Sequence, residues 1–364
     1  RTYMNAPRKL MIMAAGTGGH IFPGLAIAST MRQKGWEITW LGTQHGMEGK
    51  IVPSHGIEID CIDFAGLRGK GLVHMLKGSV HLLTGFMACL GIMRRRKPDL
   101  VVGMGGYVTV PGGMAARMLG IPVVLVNADA RLLLSNKTLA SSAKHVLFGF
   151  PGDFGDLASK AICTGNPVRQ EIRDLPGPEY RYTQRQGVLK IMIVGGSLGA
   201  KALNDCLPKA VASLPFETRP VLLHQTGRQH VAEVRQQYRK MQVHAEVVDF
   251  IDDMAARYAD VDLVICRAGA ITVSELTSAG VASILVPFIA SSTSHQRDNA
   301  IFMHKAGAAI HLPQTNLTPE YLARLLKDMT REKCFEMAKK AHSLGKKDAN
   351  ERIAEVLIRT ANSR

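Results

Sequence analysis

The sequence predicts an α/β protein built from two doubly wound domains that face one cleft, and three observations lead there. Lys9 to Ala15 is a short apolar run closed by Gly16-Thr17-Gly18-Gly19 and followed by a helical pattern through Arg32. Glu37–Leu41, strand-like, comes at once after that helix, which is βαβ spacing and implies a parallel sheet with right-handed crossovers. The pattern then restarts: Leu189–Val194 is closed by Gly195-Gly196-Ser197-Leu198-Gly199-Ala200 and again runs into a helix.

Further strands are expected at Leu100–Gly103 and Pro122–Val126, then at Val221–His224, Val247–Phe250, Leu263–Cys266 and Ser283–Val286. Between the halves, TGNPVRQEIRDLPGPEYRYTQRQG is rich in Pro, Gly and charge and reads as an interdomain linker. The first domain is expected to cover residues 1–168 and the second 169–346. Ligands of such sheets bind outside the carboxyl ends of the strands, here on both sides of the cleft.

Apolar residues make up 46% of the chain and charged residues 21%, which excludes a disordered chain and suits a globular one. The net charge of +15 calls for anionic partners: nucleic acid, phosphorylated ligands or an anionic membrane. Aromatics are only 5%, and none interleave with a basic segment, so nucleic acid is not the expected partner. The six cysteines are scattered, without CxxC pairs or zinc-like His spacing; buried reduced thiols are expected, and no metal. The segment RTYMNAPRKLMIMAAG is basic but leads straight into a strand and a glycine turn, unlike a signal peptide.

A glycine turn between strand and helix lets backbone approach a phosphate, and the helix start offers free N–H groups with partial positive charge. Neither turn is a dinucleotide fingerprint. Ile21 stands where the last glycine of the first should be, and the second strand ends at Leu41-Gly42 with no acid for a ribose, which disfavours a nicotinamide dehydrogenase. Neither turn is followed by Gly-Lys-Ser/Thr, so neither is a P-loop. Each could alone be a tight turn for helix–strand packing. A third candidate, Arg267-Ala268-Gly269-Ala270-Ile271-Thr272-Val273-Ser274-Glu275, follows the strand LVIC and opens a helix. Arg267 and the amides around Ala270–Thr272 would face a diphosphate, and Glu275 a ribose diol; the alternative is an exposed helical glutamate. His20, beside the first turn, could take a proton from an attacking hydroxyl or serve structure alone.

GTGGHIFPGLAIA, GMGGYVTVPGG, TGNPVR, GGSLGA, FIDDM, CRAGAITVSEL and HQRDNA occur in the order seen in the MurG family, from about Leu10 to beyond Gly307. The chain resembles that family, which implies a GT-B fold of two Rossmann-like domains, with the C-terminal helix (347–364) packing back on the first. It implies inverting transfer of N-acetylglucosamine from UDP-N-acetylglucosamine (UDP-GlcNAc) to the C4 hydroxyl of a lipid-linked muramyl-pentapeptide, without cofactor or obligatory metal. By the same resemblance Thr17, Gly18 and Gly19 line the acceptor side, with His20 a candidate base. Arg169 and Ser197 contact the sugar-diphosphate, Ile251 holds uracil through its backbone with Met254 nearby, and Gln296 bonds the sugar hydroxyls. Ala270, Ile271, Thr272, Val273, Ser274 and Glu275 cradle phosphates and ribose. Asp260-Val261-Asp262 looks like a DxD metal motif but precedes its strand, so it reads as a surface turn. The implied location is the cytoplasmic face of a bacterial inner membrane, and the implied partners include other cell-wall synthesis proteins.

Two positions depart from the family. Asp129, in Val126-Asn127-Ala128-Asp129, replaces an asparagine expected to touch the donor sugar, and Thr293 and Ser294 stand where acids are common. An altered-specificity or catalytically impaired sugar-nucleotide binder is therefore an alternative, as is a transferase for another lipid acceptor. From Phe64 to Pro98 there is no acid, whereas Arg68, Lys70, Lys77, Arg94, Arg95, Arg96 and Lys97 are basic and Leu76, Val80, Leu82, Leu83, Phe86 and Met87 are apolar. His74, Lys77 and His81 argue against a membrane span. An interfacial segment on anionic lipid is expected, and a buried helix with a basic end is the alternative.

Overall fold

A computed structural model describes residues 6–16, 18–63, 72–196, 199–289 and 295–363, with the side chains of 72–75 left aside. The chain forms two compact units, Arg1–Pro167 with Asp348–Arg364, and Val168–Lys347.

Among the described residues, the first unit holds a seven-stranded parallel sheet. Its strands are β1 (Lys9–Ala14), β2 (Glu37–Thr43), β3 (Glu58–Ile62), β4 (Leu100–Gly105), β5 (Val123–Asn127), β6 (His145–Phe148) and β7 (Ala161–Cys163). Helices α1 (Gly18–Gln33), α2 (Glu48–Ser54), α3 (Leu72–Arg96), α4 (Thr109–Met118) and α5 (Leu134–Leu139) connect them. The spatial order β3-β2-β1-β4-β5-β6-β7 reverses direction between β1 and β4. Because a sheet with both faces covered needs apolar residues on both, β1 reads as a continuous hydrophobic run. Leu10, Ile12 and Ala14 enter one core, Met11 and Met13 the other.

In the second unit, α6 (Gln170–Arg173) and α7 (Pro178–Thr183) precede a six-stranded sheet of order β10-β9-β8-β11-β12-β13. The elements run β8 (Lys190–Val194), α8 (Lys201–Ala212), β9 (Val221–Gln225), α9 (Val231–Lys240), β10 (Glu246–Val248) and α10 (Met254–Asp260). They continue with β11 (Leu263–Cys266), α11 (Ala270–Ala279), β12 (Ala282–Leu285), α12 (His295–Lys305), β13 (Ile310–His311), α13 (Pro319–Asp328) and α14 (Arg331–Leu344). Its topology repeats the first sheet's inner order, with the reversal between β8 and β11. The last helix, α15 (Ala349–Asn362), returns to the first unit, where Ile353, Ala354 and Leu357 share a core with Ile21, Leu25 and Ala28 of α1.

Two expectations need correction. The segment read as a linker does hold the boundary between the two units, at Pro167 and Val168, but from there on it is packed protein: buried Arg181 donates to Pro176 O at 2.8 Å, Ala279 O at 2.6 Å and Gly280 O at 2.6 Å. Its Pro, Gly and charge serve short helices and buried hydrogen bonds. The Asp260–Asp262 turn is only half at the surface. Asp262 is fully buried, accepting from Arg185 at 2.9 Å, Arg331 at 3.1 Å and the Lys190 amide at 2.8 Å. These bonds hold its carboxyl below its usual value against the opposing effect of burial. It locks β8 to β11.

Candidate active site

Each sheet reverses its strand order once, and in doubly wound sheets the crevice at that switch point receives the ligand. In the first unit the loops after β1 and β4 meet there. Glu48, fully buried, accepts from Gly16 N–H at 3.2 Å, Thr43 N–H at 2.8 Å and the Thr43 hydroxyl at 2.8 Å, fixing the first turn from behind. Gly18 and Gly19 open α1, and half-buried His20 lies one residue on. Gly105 has φ +116°, and a Cβ there would lie 2.8 Å from His20 Cε1 and Nδ1. The imidazole therefore rests against a glycine backbone that no other residue could replace.

The loop after β5 is organised by Asn127, which is fully buried. Its carboxamide donates to Asp129 O and Arg131 O, both at 2.9 Å, and accepts from Leu133 N–H at 2.9 Å and Asn136 Nδ2 at 3.1 Å. Asp129 is half-buried on that loop.

In the second unit the loops after β8 and β11 flank the reversal. Glu275, in α11, is nearly buried and has both oxygens partnered: Arg169 donates at 3.0 Å and the Tyr258 hydroxyl at 3.0 Å. Burial pushes its carboxyl above the ordinary value, while Arg169 and the Tyr258 bond pull it back. It is a held acceptor and not the exposed glutamate of the alternative reading. Ala270, Ile271 and Thr272 form the first turn of α11, capped by Gly269. Val273 is in the core and the Ser274 hydroxyl donates to Ala270 O at 2.8 Å.

Arg267 donates to Gln314 Oε1 at 2.7 Å and Val286 O at 3.2 Å, and stacks over Phe288. Gln296 Oε1 accepts from Ala268 N–H at 3.3 Å and Phe288 N–H at 2.8 Å, tying α12 to this corner. Ile251 is buried and Met254 begins α10. Thr17, Ser197, Thr293 and Ser294, with Arg68 and Lys70, lie outside the described residues. Tyr258 and Gln225 belong to this architecture and escaped the sequence reading. Gln225 was legible as a polar residue ending an apolar strand, whereas Tyr258 carried no signal.

Among the described residues no group of three or more His, Cys, Asp or Glu side chains stands together as a metal site. An open groove of about 680 Å³, lined by residues including Lys9, Arg32, Trp36, Glu58 and Arg96, lies at the amino ends of β1–β3, away from these loops.

α3 is long and apolar enough to cross a membrane over Leu76–Arg96. One face is taken, however: Cys89, Leu90, Ile92 and Met93 are core residues and Phe86 packs against them. The opposite face exposes Leu76 (66%), Val80 (61%), Leu83 (61%) and Met87 (57%) at helical spacing. Leu82 and Phe86, expected on the lipid side, are half-buried and share the helical spacing of Cys89 and Met93, so they fall on the packed side of α3. Arg95 pairs with Asp60 at 2.7 Å, and Arg96 with Asp60 at 2.8 Å and with Glu58. Lys77, Arg94 and Lys97 are exposed.

Residues 10–148 match the glycosyltransferase family 28 N-terminal domain, and residues 190–353 match the glycosyltransferase family 28 C-terminal domain. A UDP-N-acetylglucosamine–N-acetylmuramyl-(pentapeptide) pyrophosphoryl-undecaprenol N-acetylglucosamine transferase of Janthinobacterium sp. (strain Marseille) is 62% identical, over 96% of this chain and 98% of its own. One of the same name from Ralstonia nicotianae is 45% identical over 100% of this chain and 99% of its own. The crystal structure of Acinetobacter baumannii MurG superposes with a TM-score of 0.85 at 38% identity, covering 97% of this chain and all (100%) of that one. S. aureus MnaA with UDP, at 16% identity and a TM-score of 0.64 over 95% of both chains, shares the fold alone. Both halves and nearly the whole length being matched, the chain belongs to glycosyltransferase family 28, with the MurG transferases, and has their GT-B fold of two Rossmann-like domains.

Proposed function

We propose that the chain catalyses inverting transfer of N-acetylglucosamine from UDP-GlcNAc to the C4 hydroxyl of the muramyl sugar of undecaprenyl-pyrophosphoryl-N-acetylmuramyl-pentapeptide, a step of peptidoglycan synthesis. Family membership supports the reaction. The observation that carries the site is Glu275, a buried acceptor held between Arg169 and Tyr258 at the β8/β11 switch point. Nothing in the comparisons favours the impaired binder.

On this reading UDP-GlcNAc occupies the second unit. Glu275 accepts from the ribose hydroxyls, the α11 amides at Ala270–Thr272 meet the diphosphate, and the Ile251 backbone reads uracil with Met254 alongside. Ser197 and Arg169 approach the sugar-diphosphate. Gln296 Oε1 is engaged with backbone, so sugar contact falls to its Nε2. In the first unit Thr17, Gly18 and Gly19 border the acceptor. The C4 oxygen bonds the anomeric carbon as the bond from that carbon to the β-phosphate oxygen breaks, and the hydroxyl proton passes to His20. Negative charge developing on UDP is met by the α11 amides and dipole, and no step is routed through a metal.

Peripheral attachment to the cytoplasmic face of the inner membrane belongs to the same reading. Leu76, Val80, Leu83 and Met87 enter the lipid interface, with Lys77, Arg94 and Lys97 facing anionic headgroups. The test is UDP release with a short-chain lipid-linked acceptor, plus the configuration of the product. Acceptor-dependent release with an inverted linkage is expected. Release without acceptor, or retention, would remove the assignment.

A further inference from the structure

Behind the second glycine turn sits one carboxamide with four bonds. Gln225, the last residue of β9, is buried. Its Oε1 accepts from Gly195 N–H at 2.9 Å and Gly196 N–H at 3.0 Å. Its Nε2 donates to Gly196 O at 2.8 Å and Asp249 O at 2.9 Å. Two N–H groups on one end and two carbonyls on the other allow only one orientation of the amide, so the side chain is a fixed bracket. It joins the turn after β8 to the segment after β10 that leads into Ile251.

The next residue reinforces the bracket. Thr226 N–H donates to Val248 O at 3.0 Å. Gly199 has φ +76°, and a Cβ there would fall 2.0 Å from Thr226 O, so the end of β9 presses directly on the far side of the turn. Buried Asn204 of α8 donates to that same carbonyl at 3.3 Å. Strand end, turn and helix start are thus set from one point.

We propose that Gln225 is a positioning residue for the donor: it holds the turn that receives the diphosphate and the segment that receives the nucleobase in one fixed relation. This rests on the donor reading of the second unit. The bracket makes recognition depend on base and diphosphate together, because neither segment moves without the other.

Gln225→Glu keeps size and both acceptor contacts, loses both donors and sets a carboxylate against two carbonyls. Gln225→Met keeps bulk alone. With two backbone carbonyls left unpaired, the KM for UDP-GlcNAc is expected to rise about 10- to 100-fold, with kcat changed several-fold less. The affinity gained on going from uridine to UDP, read by calorimetry, is expected to shrink in both variants. A purely structural role would lower the melting temperature and the active fraction while leaving KM and that gain alone. Folded variants with KM within about twofold of the parent would overturn the inference. Glu275→Ala is the control: if it weakens UDP binding and the Gln225 variants do not, this inference alone fails. If none of the three changes UDP affinity, the donor reading fails and takes this inference with it.

Discussion

Tyr258→Phe removes one oxygen atom and tests the polar centre of the second unit. The lost bond is the hydroxyl's 3.0 Å donation to Glu275, between side chains that are 1% and 8% exposed. A buried hydrogen bond to a charged acceptor contributes roughly 1.5–3 kcal/mol, so about 2 kcal/mol should leave the local stability of α10 and α11. In amide hydrogen exchange by mass spectrometry that is about 30-fold faster opening of peptides spanning 254–279 at neutral pH. The pH dependence carries the sign. Burial raises the Glu275 carboxyl above its ordinary value, so the fold takes up a proton between the unfolded and folded values and loses stability as pH rises through that window. Without the Tyr258 hydroxyl the folded value rises further. The deficit of the variant is therefore widest at neutral pH and narrows below the folded value, where only a neutral hydrogen bond of about 1 kcal/mol is missing. A deficit that stays constant from neutral to mildly acid pH would refute the charge-assisted bond, and no deficit at all would refute the contact. Tryptophan fluorescence will not serve as readout, because Trp36 and Trp40 are the two tryptophans of the chain and both lie in the first unit.

Replacing Leu83 and Met87 together by serine should reduce sedimentation with anionic vesicles at least about tenfold without changing turnover on a detergent-soluble acceptor. Undiminished vesicle binding would show that the stripe is not the lipid face. Arg94→Ala should weaken binding to anionic but not zwitterionic vesicles, whereas Arg96→Ala should show mainly as lost stability, because Arg96 is tied to Asp60 and Glu58. If the family resemblance at residue 129 extends to contact with the donor sugar, Asp129→Asn should raise kcat/KM for UDP-GlcNAc about fivefold, the worth of about 1 kcal/mol from one added donor. Unchanged turnover in a coupled UDP-release assay would sink that idea.

Much of the sheet was legible because buried parallel strands are short apolar runs between glycine turns and amphipathic helices. Leu263–Cys266 was placed to the residue, and most other strand ends moved by one or two. The strands missed were β3, β6, β7 and β13: β6 (His-Val-Leu-Phe) carries the apolar signature and was passed over, β7 is three half-buried residues, and the other two lack the signature. β3 reads Glu-Ile-Asp-Cys-Ile, an edge strand whose charges pair with Arg95 and Arg96, and β13 is two half-buried residues. Val247–Phe250 was displaced because Asp249 ends pairing: its carbonyl turns to Gln225. At the site, the glycine turns and the start of α11 could be read, since backbone shape demands residue types at fixed spacing. Contacts such as Arg169–Glu275–Tyr258 join residues brought together only by packing of α10, α11 and the segment before α6, and no local pattern encodes them.

The two glycine turns look alike in sequence and are built alike, yet they are backed differently. In both, the leading amide faces protein and not ligand: Gly16 N–H goes to Glu48, and Gly195 and Gly196 N–H go to Gln225. Any phosphate must therefore be met by amides further on, at the helix start, which is where the dipole also acts. The backing group then decides what suits each turn. Glu48 is an acid whose three hydrogen bonds all come from uncharged donors, so its charge is not cancelled by them. A phosphate brought near it meets like-charge repulsion, which at an effective dielectric of about 20 is about 4 kcal/mol at ~4 Å and falls off with distance. Gln225 is neutral and imposes no such term. On the proposed function that difference suits the nucleotide diphosphate to the second turn. A carboxylate behind one turn and a carboxamide behind the other is a distinction that the glycine motifs do not contain.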